Sequence, residues 1–128
     1  MAQRLARRKR PLPFKTHPPG AGKALASDYA RKMALEACQR AGVLPEDLAA
    51  FVPHQANLRI IEALARKVGV PRERLADDII HAGNTSSASI PLALARMTER
   101  GELHSGMPVL LLGFGAGMCY AAQVVTVP

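Results

Sequence analysis

Two short uninterrupted apolar runs, Ala50-Phe51-Val52-Pro53 and Val109-Leu110-Leu111-Leu112, constrain this chain more than any other feature. A strand that is apolar on both faces has to be covered on both faces, which helices packed against a sheet accomplish. Helical periodicity occupies the intervening sequence. Ser27 is a residue type suited to an N-cap, and Tyr29, Met33, Ala37 and Ala41 follow at helical spacing, so a helix is expected over residues 28–41 with Gly42 as its stop. Leu44-Pro45-Glu46-Asp47-Leu48 predicts a short helical turn, with proline tolerated early. Asn57 is placed to cap a second helix whose Leu58, Ile61, Leu64, Ala65 and Val68 share one face, and Gly69 closes it.

Asp78-Ile79-Ile80 is expected as a short strand leading into a tight turn at Gly83-Asn84-Thr85-Ser86, and a third helix follows over residues 87–100. After the second apolar run, Gly113-Phe114-Gly115-Ala116-Gly117 is expected to turn the chain into an alternating strand from Met118 to Val127. Helix, strand, helix, strand, helix, strand, strand is the order of an α/β layer with a mostly parallel sheet and an antiparallel end. Ligands in such sheets bind at the loops after the strands.

At 128 residues the chain has material for one domain. The net charge of +7 is concentrated at the start: residues 1–26 carry Arg4, Arg7, Arg8, Lys9, Arg10, Lys15 and Lys23 and no acid. The remainder, residues 27–128, is neutral and forms the expected domain. With Pro18-Pro19-Gly20-Ala21-Gly22, residues 1–26 read as a flexible tail. A nucleic-acid role would rest on that tail alone, without interleaved aromatics, and nucleic acid is not expected as a partner.

Two cysteines, Cys38 and Cys119, suit a reducing cytoplasm, and both are expected to be structural. The chain has no run long enough to span a membrane, and no apolar segment follows its basic start. His17, His54, His81 and His104 have no partners at metal-ligand spacing, so no metal site is expected. Gly113, Gly115 and Gly117 are spaced G-x-G-x-G before a strand, which does not fit a dinucleotide fingerprint.

Three loops remain as the place for chemistry: Pro53-His54-Gln55-Ala56-Asn57, Gly83-Asn84-Thr85-Ser86 and the glycine turn. An imidazole and an asparagine amide together offer two donors to one carbonyl oxygen, a means of holding an enolate. Glycines let backbone N–H groups approach a second oxyanion.

These motifs, in the order Phe51-Val52-Pro53-His54-Gln55-Ala56-Asn57-Leu58-Arg59-Ile60-Ile61, Gly83-Asn84-Thr85-Ser86 with Ala88-Ser89-Ile90-Pro91, and Gly113-Phe114-Gly115-Ala116-Gly117, closely resemble the C-terminal half of β-ketoacyl-acyl-carrier-protein synthase III. The resemblance covers roughly residues 28–127. It implies one half of a thiolase-like αβαβα fold, with a mixed sheet flanked by helices. By resemblance His54 and Asn84 are the catalytic donors that polarise the thioester of malonyl-acyl-carrier protein. The backbone of Gly115, Ala116 and Gly117 would serve the oxyanion of a cysteine acylated from acyl-CoA. Arg59, Arg66 and Lys67 resemble the docking surface for the acidic carrier protein, although by default they form a solvated helix face with Glu62 paired to Arg66. No cofactor beyond the substrates is implied.

The chain departs from the family's pattern at Met118-Cys119-Tyr120-Ala121 and at Ala82, and neither cysteine sits where a nucleophile would be activated. A cysteine-bearing N-terminal half, or a homo-oligomer, is therefore the expected partner, and the isolated chain is expected to be inactive. The alternative is a non-catalytic, partner-binding remnant.

Overall fold

The structure is a computed structural model that describes residues 21–115 and 119–128, with side chains described from residue 28. Its elements are α1 (Ala21–Ala41), β1 (Ala50–Pro53), α2 (Leu58–Val68), α3 (Ile79–Ala82), α4 (Ser89–Glu99), β2 (Pro108–Gly115) and β3 (Cys119–Thr126), with 3-10 turns at Pro45–Asp47, Arg72–Arg74 and Ser86–Ala88. The strands form one sheet in the order β1-β2-β3, in which β1 runs parallel to β2 and β3 antiparallel to it.

Strand alternation splits the interior into two cores. Phe51, Leu110 and Leu112 face α1 and α2, where they meet Ala30, Ala34, Cys38, Ile61, Leu64 and Val68. Ala50, Val52 and Val109 face the other way, toward Ala93 and Met97 of α4 and Leu103. The two apolar runs thus form buried neighbouring strands, paired Ala50 to Val109 through Pro53 to Leu112. A parallel pair covered on both faces has no solvent side for polar residues.

The expected caps of α2 are present. Asn57 has extended backbone and its side chain accepts from the Arg59 N–H, while Gly69 ends the helix at φ 90°. The 3-10 turn at residues 45–47 also lies where the proline placed it.

Four expectations are corrected. Residues 79–82 form the short helix α3 in place of a strand; Asp78 is already helical at φ −57°, and the upstream contact with the sheet is a single bridge between Leu75 and Phe51. Gly113 and Gly115 belong to β2, paired with Ala121 and Cys119, so they extend the hairpin and do not form its turn. Helix α1 begins at Ala21, which places residues 21–26 in a helix, while residues 1–20 of the expected tail lie outside the described residues.

The buried face of α1 is Ala30, Ala34 and Cys38, one residue out of register with the predicted face, and Tyr29 is 63% exposed. Small side chains at those positions let the helix lie close to the sheet and to α2, where Lys67 Nζ pairs with Asp28 at 2.8 Å and the Arg31 side chain donates to the Lys67 carbonyl at 3.0 Å. No helix among the described residues is long and apolar enough to cross a membrane.

Candidate active site

His54 sits at the C-terminal end of β1 and is held from three directions. Its backbone N–H donates to the Leu112 carbonyl at 2.8 Å, which continues the β1–β2 ladder by one residue. Its Nδ1 lies 2.7 Å from Ser89 Oγ, at the first residue of α4. Phe114 on β2 packs against the ring with centroids 5.2 Å apart and planes at 70°, a favourable T-shaped geometry. The imidazole is half-buried, and Nε2 has no partner among the described residues.

Gln55 fastens this loop beneath the histidine. It is 1% exposed. Its Nε2 donates to the carbonyls of Pro53 at 2.8 Å and Ala76 at 3.2 Å, its Oε1 accepts from the Ile79 N–H at 3.1 Å, and its backbone N–H donates to Ser89 Oγ at 3.2 Å. One buried amide therefore joins the end of β1 to the segment leading into α3, and buried polar groups are stable only when satisfied in this way.

Asn84 follows α3 on an exposed loop. Its Oδ1 accepts from the Ser86 N–H at 2.9 Å in an Asx turn, and its Nδ2 amide is left without a partner among the described residues. The backbone on either side is unusual: Gly83 has φ 69° and ψ −165°, a region that only glycine enters readily, and Ser86 has φ 57°. A Cβ at Gly83 would meet nothing within 4 Å, so the requirement for glycine is conformational and not steric. Beside Asn84, the Thr85 hydroxyl is buried with no partner among the described residues.

The structure brings His54 against Ser89, which opens α4 five residues beyond Asn84. Ser89 and Gln55 were quoted in the motifs without an assigned role. The detectable signal was position: Ser89 opens the helix after the Asn84 turn, and Gln55 is the first residue after the histidine. Of the expected oxyanion backbone, Gly115 lies at the exposed end of β2, while Ala116 and Gly117 lie outside the described residues.

On α2, Arg59, Arg66 and Lys67 are all exposed. Glu62 pairs with Arg72 at 2.9 Å and not with Arg66 as expected, because Arg72 returns to it through the turn after the helix and also reaches Asp77 at 3.1 Å. Those two carboxylates push the Arg72 guanidinium above its ordinary value, the Glu62 hydrogen bond being the largest cause. Arg59 and Arg66 make no ion pair among the described residues.

A cleft of about 220 Å³ lies away from His54, between the 72–78 segment and α4, lined by Arg72, Asp77, Asp78, Arg96 and Arg100 among others. There the buried Asp78 Oδ1 approaches Arg96 Nε to 2.7 Å, an ion pair whose alignment falls short of a hydrogen bond. Cys38 is buried, and desolvation raises its thiol above the ordinary range; Cys119 is exposed on β3. No group of three or more His, Cys, Asp or Glu side chains among the described residues is placed to hold a metal ion.

The family described as 3-oxoacyl-[acyl-carrier-protein (ACP)] synthase III C terminal matches residues 38–127. The chain is 55% identical over 96 residues to β-ketoacyl-[acyl-carrier-protein] synthase III 2 of Streptomyces avermitilis, covering 75% of this chain and 30% of that protein. It is 53% identical over 104 residues to the synthase III of Kocuria rhizophila, covering 80% and 29%. Among solved structures, the synthase III of Thermus thermophilus superposes with a TM-score of 0.79 at 44% identity, over 88% of this chain and 35% of that one. The priming β-ketosynthase of a polyketide biosynthetic pathway superposes with a TM-score of 0.78 at 46% identity, over 83% and 32%. The chain thus spans about 30% of the length of the curated relatives it matches.

Proposed function

The chain belongs to the 3-oxoacyl-[acyl-carrier-protein] synthase III family, with the thiolase-like α/β fold of its C-terminal part, and from that premise we propose that it supplies the carbonyl-polarising donors of a decarboxylative condensing enzyme. The observation that carries this reading is that His54 Nε2 and Asn84 Nδ2 are both without a partner among the described residues, with His54 seated on Ser89 of the helix that follows the Asn84 turn. Two donors that converge on one thioester oxygen stabilise negative charge where it develops.

In this reaction the malonyl thioester breaks its bond to the carboxylate and releases carbon dioxide. The electron pair passes into an enolate whose oxygen is held by His54 and Asn84. The enolate carbon attacks an acyl thioester on a cysteine of the N-terminal half, a C–C bond forms, and the cysteine leaves as thiolate. Acyl-CoA and malonyl-acyl-carrier protein are the substrates in fatty-acid or polyketide priming, and no resident cofactor is required. The backbone of Gly115, Ala116 and Gly117 would serve the oxyanion at the acylated cysteine. Arg59, Arg66 and Lys67, one helix beyond His54, would dock the acidic carrier protein.

Exposed apolar surface supports a covering partner. Ile80 on α3 is 56% exposed and Leu92 on α4 40% exposed, and Pro91 and Ala95 are also exposed on α4. Large apolar side chains left exposed on neighbouring segments are suited to burial against a partner. A cysteine-bearing half or a second copy fits it, in a cytoplasmic assembly.

The test is purification of the chain with its partner from its own cells, followed by assay of the assembly for carbon dioxide release from malonyl-carrier protein. His54→Ala and Asn84→Ala should each lower turnover by about 100-fold or more while assembly is retained. Unchanged turnover in both variants would refute the assigned roles and leave a partner-binding module.

A further inference from the structure

We propose that Ser89 is a positioning residue that fixes the tautomer of His54, holding the ring proton on Nε2; this rests on the condensing reading of the site and specifies how its histidine is kept competent. Ser89 Oγ is 2% exposed and touches two nitrogens, His54 Nδ1 at 2.7 Å and the Gln55 backbone nitrogen at 3.2 Å. The Gln55 N–H can only donate, so it occupies one lone pair of the hydroxyl oxygen.

The hydroxyl hydrogen also needs an acceptor in this buried place, and among the described residues the only one within reach is Nδ1. Were Nδ1 protonated instead, both lone pairs of Oγ would be filled and its hydrogen would be stranded, a cost of about 1–3 kcal/mol. Nδ1 is therefore the acceptor, and the neutral ring carries its hydrogen on Nε2.

Chemistry at the site makes this choice consequential. Of the two ring nitrogens, Nε2 is the one without a partner among the described residues, and only a protonated Nε2 can donate to a thioester oxygen. The T-shaped contact with Phe114 and the His54 N–H bond to Leu112 help fix the place of the imidazole, but neither distinguishes the two tautomers. Ser89 does so, and because it opens α4 it links the histidine to the helix that follows the Asn84 turn.

The test is NMR of the full chain labelled with ¹³C and ¹⁵N at histidine, reading the Cδ2 and ring nitrogen shifts of His54. The wild type should show the Nε2–H tautomer, Ser89→Ala should show a mixture with the Nδ1–H form, and Ser89→Thr, which keeps the hydroxyl, should restore the wild-type pattern. In the active assembly Ser89→Ala should lower kcat for decarboxylation by about 10- to 100-fold with KM for malonyl-carrier protein little changed.

An Nδ1–H tautomer in the wild type, or an unaltered tautomer in Ser89→Ala, overturns the proposal. Should His54→Ala leave turnover intact, the condensing role fails while the tautomer result still decides the role of Ser89. Should His54→Ala abolish turnover and Ser89→Ala change neither tautomer nor rate, Ser89 alone is refuted.

Discussion

The loop that carries His54 and the loop that carries Asn84 solve the same problem by different means. Residues 53–57 are locked by buried hydrogen bonds: the ladder bond to Leu112, four bonds through Gln55, and the Asn57 cap of a strongly amphipathic α2. Residues 83–88 are mostly exposed and are shaped by backbone conformation, with Gly83 and Ser86 at positive φ and one Asx turn. α4 lacks the side-chain cap that α2 has. Such a seat holds the His54 ring in one orientation, whereas the Asn84 amide is aimed by its turn. Strained backbone of this kind survives only where the surroundings over-determine it.

The largest effect that tests this contrast is expected from Gln55→Ala. It strands the Pro53 and Ala76 carbonyls and the Ile79 N–H in a dry interior, and should cost about 3–5 kcal/mol of unfolding free energy by urea titration. A loss under about 1 kcal/mol would mean that the His54 loop is held by the sheet alone. Gly83→Ala should cost about 1–3 kcal/mol, all of it conformational because the new methyl meets open space. That variant should also reduce turnover of the assembly while leaving the His54 NMR shifts in place, and a shift of the His54 signals would show that the two loops are one unit.

The smallest effect is a pH dependence on the α1–α2 side. The hydrogen bond from Lys67, and then its charge, hold the Asp28 carboxyl below the ordinary 3.8. Because the folded value is the lower one, the pair's contribution is present above the unfolded value and is lost as pH falls through the folded value. Asp28 and Lys67 are exposed, so Asp28→Asn should only slightly flatten the acid limb of a stability curve measured below about pH 4. A strong flattening would mark this pair as a principal brace of α2.

Much of this layout was legible in the residues. Ala50 to Pro53 read as a buried strand because an all-apolar run has no solvent face, and α2 was bounded correctly because Asn57 and Gly69 carry their own capping chemistry. The readings that changed depended on partners distant in the chain. Asp78-Ile79-Ile80 is apolar enough for a strand, but Gln55 Oε1 takes the Ile79 N–H and Arg96 pairs with Asp78, which favours a helical turn. Glu62 left Arg66 for Arg72 once the chain folded back, and the buried face of α1 rotated by one residue to place Ala30 and Ala34 against the sheet.

By itself, then, the sequence determined the family, the strand β1 and the bounds of α2, because motifs, caps and apolar runs are local and each residue type states its own preference. Only the tertiary structure decided that Ser89 meets Nδ1 of His54 and that Gln55 satisfies groups from three segments. Those contacts join residues 21 to 35 positions apart, and a hydrogen bond across such a separation exists only when packing has already brought both ends into one dry place.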